Sequence, residues 1–143
     1  MDKLKGAKYF SKIDVCWGYN NIQIQEGDEW KAAFKTNKGL FEPMVMFFGM
    51  CNSPATFQSM MDNIFVTIIN GKLVIIYMDD ILIFAKTKEK LRESTKMVLG
   101  NSREQDLFLK AKKCEFEKIK IGYLGMIIEE GQITMDPIKL AGI

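Results

Sequence analysis

Two adjacent carboxylates, Asp79 and Asp80, interrupt the most hydrophobic part of this 143-residue sequence. The residues on either side, 73–77 and 81–84, are runs of β-favouring apolar residues, a pattern typical of the two strands of a buried hairpin. Tight hairpin turns favour glycine or asparagine, and neither occurs among Met78, Asp79 and Asp80. A local rule broken at such a point indicates a functional site.

The chemistry that these two acids could perform follows from their electrostatics. Carboxylates held side by side between apolar strands repel each other and lose solvation, so they either take up protons or bind a cation. Mg²⁺ is typically held by one or two carboxylates, with water and substrate phosphates as the remaining ligands. The pair alone is also compatible with a simple polar turn in water, so a further acid is needed to decide.

Asp14 is that further acid. Residues 8–15 are typical of a strand, and residues 16–24 of a tight turn that leads back into an extended run. If the strand that carries Asp14 lies beside the hairpin, three carboxylates meet and could hold two ions about 3.5 to 4 Å apart for an in-line displacement. The sequence therefore predicts Asp14, Asp79 and Asp80 as catalytic and metal-ligating residues.

Composition sets the broad class of the chain. Its length predicts a single domain over residues 1–143, and 48% hydrophobic residues are ordinary for a globular protein. No apolar run reaches the ~20 residues of a membrane span and no signal peptide is recognisable, so we expect an intracellular protein without membrane contact. A net charge of +2 does not by itself argue for nucleic-acid binding. Three dispersed cysteines and no histidine give neither a zinc nor a disulfide pattern.

Six ordered blocks of sequence cover nearly the whole chain. They are FSKID (10–14) with GY (18–19), FKT (34–36) with GLFE (39–42), FGMCNSPATFQ (48–58), YMDD (77–80), KCEF (113–116), and YLG (123–125) with DP (136–137). In this order the blocks resemble the palm of a reverse transcriptase from LTR retrotransposons of the Ty3/gypsy type. The YMDD block alone would be weak support, whereas six blocks at plausible spacing are specific.

The resemblance implies a fold and an activity. The fold is α+β, with an antiparallel palm sheet backed by two helices on one face, a partial fingers hairpin inserted at 25–47, and the remainder of the palm at 48–143. The activity is RNA-directed DNA synthesis, in which two Mg²⁺ or Mn²⁺ ions assist transfer of a nucleotide from a dNTP to the primer 3′-hydroxyl. The implied partners are an RNA or DNA template-primer and a dNTP. Asp14 and Asp79 are expected to bridge the ions, and Asp80 to contribute more weakly.

The resemblance also implies site residues beyond the acids. Those expected at the nucleotide are Val15, Tyr19, Phe48, Gly49 and Lys113, with Lys112 as an alternate for the lysine near the leaving pyrophosphate. Those expected at the primer or template are Tyr77, Met78, Gln58, Leu124 and Gly125. Tyr19 would exclude a ribose 2′-hydroxyl sterically, although a core tyrosine is the plainer interpretation of an aromatic residue at this point.

Local patterns predict the elements between the blocks. Two strands, 30–36 and 41–47, are expected around a turn at 37–39, with Pro43 restricting the second strand to a sheet edge. A helix is expected from about Ser53 through Ile68, and a weaker one from Thr87 that kinks or ends early at Gly100. A strand is expected at 107–110 and a final hairpin from 122–128 and 132–135, before a terminal helix that Asp136 caps.

A second hypothesis follows from what the sequence lacks. The fingers residues that precede Asp14 in the family, and its connection and ribonuclease H regions, are not in this sequence, and a palm of charge +2 offers few phosphate contacts. The alternative function is therefore a non-catalytic retrotransposon remnant or excised palm module that folds, self-associates as a homo-oligomer or binds nucleic acid weakly.

Overall fold

The structure is a computed structural model that describes residues 2–16 and 18–142. Within these residues the helices and strands follow in the order β1 (Tyr9–Asp14), β2 (Phe34–Thr36), β3 (Gly39–Phe41), α1 (Ser53–Ile64), α2 (Val66–Asn70), β4 (Val74–Tyr77), β5 (Asp80–Ala85), α3 (Lys88–Glu104), β6 (Glu115–Lys118), β7 (Lys120–Tyr123), β8 (Met126–Glu129), β9 (Gln132–Met135) and α4 (Pro137–Leu140). Short 3₁₀ turns connect several of these elements, including one at Gly18–Asn21.

A four-stranded antiparallel sheet in the order β4-β5-β1-β6 forms the centre of the molecule. β4 and β5 make the predicted hairpin, and β1 pairs with the far side of β5 in a register that sets Tyr9 opposite Ala85 and Asp14 opposite Asp80. Both middle strands are largely buried because the sheet is covered on its two faces.

The helices cover one face of this sheet, as the α+β prediction requires. Phe57 and Met61 of α1 and Leu91 of α3 pack with Ile13 and Ile81 of the sheet in one buried cluster. The opposite face carries a separate cluster, to which the three-stranded sheet β7-β8-β9 contributes the side chains that meet β1 and β5. The structure therefore confirms an antiparallel sheet backed by helices on one face.

The predicted fingers strands are much shorter than expected. Only Phe34–Thr36 and Gly39–Phe41 pair, and every residue in them is exposed. The predicted strand over 41–47 is wrong beyond Phe41, where Val45 makes only an isolated bridge to Gln23. Pro43 explains the early end, since it has no N–H to donate to a ladder.

α3 corrects another prediction, because it passes through Gly100 and ends only at Glu104. The residues after Gly100 hold the last turn in place. The Asn101 side chain donates to the Ile64 carbonyl at 3.3 Å, and the buried Ser102 hydroxyl donates to the carbonyl one turn earlier at 2.8 Å. An early end of the helix is therefore wrong, and tertiary contacts offset the low helix propensity of glycine.

Two predicted strands are also changed. Residues 107–110 do not form a strand, and Leu109 makes a single bridge to Val15. The predicted strand over 122–128 is broken by a turn at Leu124 and Gly125, whose φ angles are +50° and +76°, so that it forms β7 and β8 of a three-stranded meander. None of the helices in the described part of the chain combines the length and the hydrophobicity of a membrane span.

Candidate active site

Asp14 and Asp80 lie opposite each other at one end of the central sheet. They are register partners on β1 and β5, and directly opposed residues in an antiparallel pair have Cα atoms about 4.5 to 5.5 Å apart. Asp79 immediately precedes β5, and its backbone carbonyl accepts a hydrogen bond from the Val15 N–H at 2.8 Å. The structure thus brings the three predicted acids to the same end of the sheet.

Burial and mutual repulsion make this cluster electrostatically unfavourable. Asp14 is only 8% exposed, and its buried Oδ1 has the Lys110 ammonium as an ion-pair partner at 3.2 Å. Burial raises the pKa of Asp80, and the negative charges of Asp79 and Asp14 raise it further, while Lys12 and Lys110 oppose the rise. The site therefore has an excess of negative charge that a cation would relieve.

The donor set fits a hard divalent cation, although the side chains are not yet gathered around one point. Carboxylate oxygens are the preferred ligands of Mg²⁺ and Mn²⁺, and the buried Asp14 Oδ1 already attracts one cation, the Lys110 ammonium. Within residues 2–16 and 18–142, however, no three acidic, histidine or cysteine side chains are close enough together to form a ready metal site.

The turn that carries Asp79 is stabilised from α1. Met78 has φ = +55°, a left-handed conformation that costs free energy for a residue with a long side chain. Its N–H donates to the Gln58 side-chain oxygen at 2.8 Å, and the Gln58 amide nitrogen donates to Asp62 at 2.9 Å and to the Ile76 carbonyl at 3.4 Å. Gln58 therefore supplies the hydrogen bonds that allow a turn without glycine.

Substitution of Gln58 by leucine tests this role. The Met78 N–H would lose its partner in a partly buried site, so we expect the free energy of unfolding to fall by about 1 kcal/mol. We also expect faster hydrogen exchange at Met78, measured by NMR beside urea unfolding. The control Asp62→Ala removes a different partner of Gln58 and should change both quantities much less. Equal effects of the two substitutions would contradict the assignment.

A tyrosine from the second sheet supports the other side of the hairpin. The Tyr123 hydroxyl on β7 donates to the Asp80 carbonyl at 3.1 Å, and it also lies 3.4 Å from the Ile75 carbonyl oxygen. Burial raises the pKa of Tyr123, and the negative charge of Asp80 adds to the rise, so the hydroxyl stays protonated as a donor. The hairpin backbone is therefore supported from both faces of the central sheet, at Met78 by Gln58 and at Asp80 by Tyr123.

An open cleft of about 410 Å³ lies beside the acids. The residues that line it are Gly18, Tyr19, Asn20, Phe48, Phe57, Met78, Asp79 and Lys110. The Tyr19 ring meets the edge of Phe57 at a centroid distance of 5.4 Å and lies 6.0 Å from the Phe48 ring. These contacts fix one aromatic wall of the cleft next to Asp79, a suitable surface for a flat or sugar-bearing ligand.

The remaining residues predicted at the nucleotide have different surroundings. Phe48 is 86% exposed, and Gly49 has φ = +109° with open space around its α-carbon. Val15 is fully buried in the core, so it can reach the cleft only through its backbone. Lys113 is exposed on the 3₁₀ turn Ala111–Lys113 and is not among the residues that line the cleft.

The residues predicted at the primer or template also differ from one another in their surroundings. Tyr77, which pairs with Asp80, is 57% exposed, and Met78 lines the cleft. Leu124 is 42% exposed at the turn between β7 and β8, where Gly125 takes the positive φ angle that such a turn requires. Gln58 is only half-buried, but its amide is occupied by the turn contacts described above.

Lys110 is the residue that the sequence analysis missed. Its Nζ lies 3.2 Å from the Asp14 Oδ1, and its backbone N–H donates to the Asp14 carbonyl at 2.9 Å. The contact with the Asp14 carboxylate raises the pKa of Lys110. The signal was a lysine at the end of the segment 107–110, which would have pointed to the acids had the bridge between Leu109 and Val15 been known.

Comparison with known proteins gives consistent results. A family model described as reverse transcriptase (RNA-dependent DNA polymerase) matches residues 1–128. The retrovirus-related Pol polyprotein from transposon 297 of Drosophila melanogaster is 36% identical over 143 residues, 100% of this chain and 13% of that protein. The transposon Tf2-3 polyprotein of Schizosaccharomyces pombe is 35% identical over 136 residues, 92% of this chain and 10% of that protein. Both are Ty3/gypsy-type polyproteins, of which this chain spans only a small part.

Solved structures show the same fold. The foamy viral protease-reverse transcriptase in complex with an RNA/DNA hybrid superposes with a TM-score of 0.82 at 23% identity, covering 90% of this chain and 17% of that one. The same foamy viral protein in complex with dsDNA gives a TM-score of 0.83 at 22% identity, covering 95% of this chain and 29% of that one.

Proposed function

The chain belongs to the reverse transcriptase (RNA-dependent DNA polymerase) family, and we propose that the end of the central sheet where Asp14 faces Asp80 is a centre for templated DNA synthesis. The observation that carries the proposal is this register, which unites acids distant in sequence beside an open cleft. Converging carboxylates next to a ligand-sized space are the requirement for metal-assisted displacement at phosphorus.

Asp14, Asp79 and Asp80 would hold the divalent ions, Mg²⁺ or Mn²⁺. The buried Asp14 Oδ1, which pairs with the Lys110 ammonium, and the raised pKa of Asp80 both indicate a place where a cation is favourable. When bound, such ions would activate the primer 3′-hydroxyl and offset the charge of the leaving pyrophosphate. We assign the main ligand roles to Asp14 and Asp79, and a weaker one to Asp80.

The cleft would receive the dNTP, with Tyr19 under its sugar. The Tyr19 ring is restrained by Phe57 and Phe48, so it cannot easily move aside for an added oxygen. A rigid ring of this kind can exclude a ribose 2′-hydroxyl sterically. Phe48 and the open backbone at Gly49 would form the rest of the nucleotide wall.

Substitution of Tyr19 by alanine should therefore relax sugar selectivity. Removal of the ring opens space below the sugar, and we expect the ratio of kcat/KM for dNTP to that for rNTP to fall by about tenfold to a hundredfold. Single-nucleotide incorporation with matched dNTP and rNTP gives the ratio. Tyr19→Phe keeps the ring and should keep the ratio; an unchanged ratio in the alanine variant would refute the role.

The template-primer would lie across the exposed side of the β4–β5 hairpin. Tyr77 and Met78 would form the floor under the primer terminus, and Leu124 and Gly125 would support the primer strand from the β7–β8 turn. Gln58 would act on the primer end through the Met78 turn that it supports. The foamy viral protein of the same fold was solved with an RNA/DNA hybrid, which makes that hybrid the first substrate to test.

Primer extension tests the proposal directly. The 143-residue chain is incubated with a labelled primer on an RNA or a DNA template, the four dNTPs and Mg²⁺ or Mn²⁺. Extension that requires the metal and stops with EDTA is the expected result, and the Asp79→Asn variant is the matched control. Folded protein that extends neither template with either metal would overturn the proposal for this chain and favour a non-catalytic module.

A further inference from the structure

Lys110 contacts Asp14 and lines the cleft at the same time. Its ammonium lies 3.2 Å from the Asp14 Oδ1, with the Lys110 side chain 33% and the Asp14 side chain 11% exposed. This contact is an ion pair between a partly exposed ammonium and a buried carboxylate. Asp79 lines the same cleft as Lys110.

The backbone fixes this lysine beside Asp14. The Lys110 N–H donates to the Asp14 carbonyl at 2.9 Å, Leu109 bridges Val15, and the Cys16 N–H donates to the Phe108 carbonyl at 2.6 Å. These contacts align residues 108–110 along the end of β1. The flexible four-carbon side chain of Lys110 can still move its ammonium between the carboxylate and the cleft.

We propose that the Lys110 ammonium takes the place of a divalent cation at Asp14 in the metal-free protein, and that metal binding displaces it into the cleft. The inference rests on the proposed function, because it takes Asp14 as a metal ligand. An ammonium nitrogen at 3.2 Å and a metal ion, which binds a carboxylate oxygen at about 2.0 to 2.1 Å, compete for the same buried oxygen. Displacement would leave a positive charge beside the position of a bound anionic ligand.

The proposal also accounts for the arrangement of the acids. An ammonium engages Asp14 without drawing the other carboxylates around itself, whereas a divalent ion requires several oxygens in its coordination sphere. Among the described residues, Asp14 is the acid that lies within ion-pair distance of the Lys110 ammonium. Lys110 is thus a positioning residue whose positive charge offsets the negative charge of Asp14 until a metal ion binds.

Competition predicts that removal of the ammonium tightens metal binding. For Lys110→Met we expect the Mn²⁺ dissociation constant, measured by electron paramagnetic resonance without nucleotide or nucleic acid, to fall by about fivefold. By linkage, the variant should lose thermal stability in EDTA and regain it at saturating Mn²⁺.

The matched control distinguishes displacement of the Lys110 ammonium from the general effect that any nearby positive charge has on metal affinity. Lys12 also acts on the acids electrostatically, but its ammonium pairs with Glu115 at 3.0 Å and not with Asp14. Lys12→Met should therefore tighten Mn²⁺ binding clearly less than Lys110→Met. Equal Mn²⁺ affinities in wild type and Lys110→Met, or equal gains in the two variants, would overturn the displacement while leaving the metal site intact. Failure of wild type to bind Mn²⁺ at all would overturn the proposed function as well.

Discussion

Asp79→Asn should reduce metal-dependent primer extension by about 100-fold to 1,000-fold, a loss of the size seen when one main electrostatic contact to a reacting centre is removed. The reason is the loss of a charged oxygen ligand at the edge of the cleft, where Asp79 is one of the lining residues. Asparagine keeps the shape of the side chain and one oxygen, so geometry changes little while charge is lost. Single-turnover incorporation at saturating Mg²⁺ measures the effect.

The same substitution should leave the fold intact, which makes the loss interpretable. Asp79 meets Val15 through its backbone carbonyl, and a side-chain change does not remove that hydrogen bond. The Asp79 charge is one cause of the raised pKa of Asp80, so its removal relieves repulsion. We expect a urea midpoint equal to or slightly above that of wild type. Wild-type extension by a folded Asp79→Asn protein would exclude the catalytic assignment.

The hairpin position of Asp79 and Asp80 could be predicted from the sequence because the local pattern has a direct physical meaning. Asp79 and Asp80 between apolar strands predict a hairpin with a charged turn, and the observed hairpin β4–β5 has Met78 and Asp79 as its two turn residues. The meeting of Asp14 with Asp80 was conditional on β1 lying beside β5. No local pattern specifies that pairing. It was expected because the six ordered sequence blocks resemble a reverse transcriptase palm.

The parts that could not be predicted depend on contacts between distant residues. Gln58 reads as an exposed helix residue, and only the tertiary structure brings its side chain to the Met78 N–H. Lys110 is indistinguishable from its neighbours Lys112 and Lys113 until the bridge between Leu109 and Val15 is known. Propensity alone likewise could not show that α3 would continue beyond Gly100.

Gly18→Ala should cause a large loss of stability at the junction between the core and the cleft. A β-carbon built on Gly18 would lie 2.4 and 2.7 Å from two ring carbons of Phe57, distances far inside normal van der Waals contact. Phe57 is only 1% exposed and its ring supports Tyr19, so it has no free space to enter. We expect the free energy of unfolding to fall by about 1 to 3 kcal/mol, the usual cost of overpacking a core.

The identical substitution at Gly100 is the sharpest control, because the same methyl group should there have the opposite effect. Gly100 is exposed within α3 with open space around its α-carbon, and alanine in a helix is favoured over glycine by about 0.5 to 1 kcal/mol. Urea unfolding of both variants measures the contrast. A Phe57→Leu substitution, which shortens the obstructing ring, should recover part of the loss in Gly18→Ala. If the effects of these two substitutions on the free energy of unfolding are additive, the methyl group at residue 18 does not act through Phe57. The proposed steric conflict between that methyl group and the Phe57 ring would then be wrong.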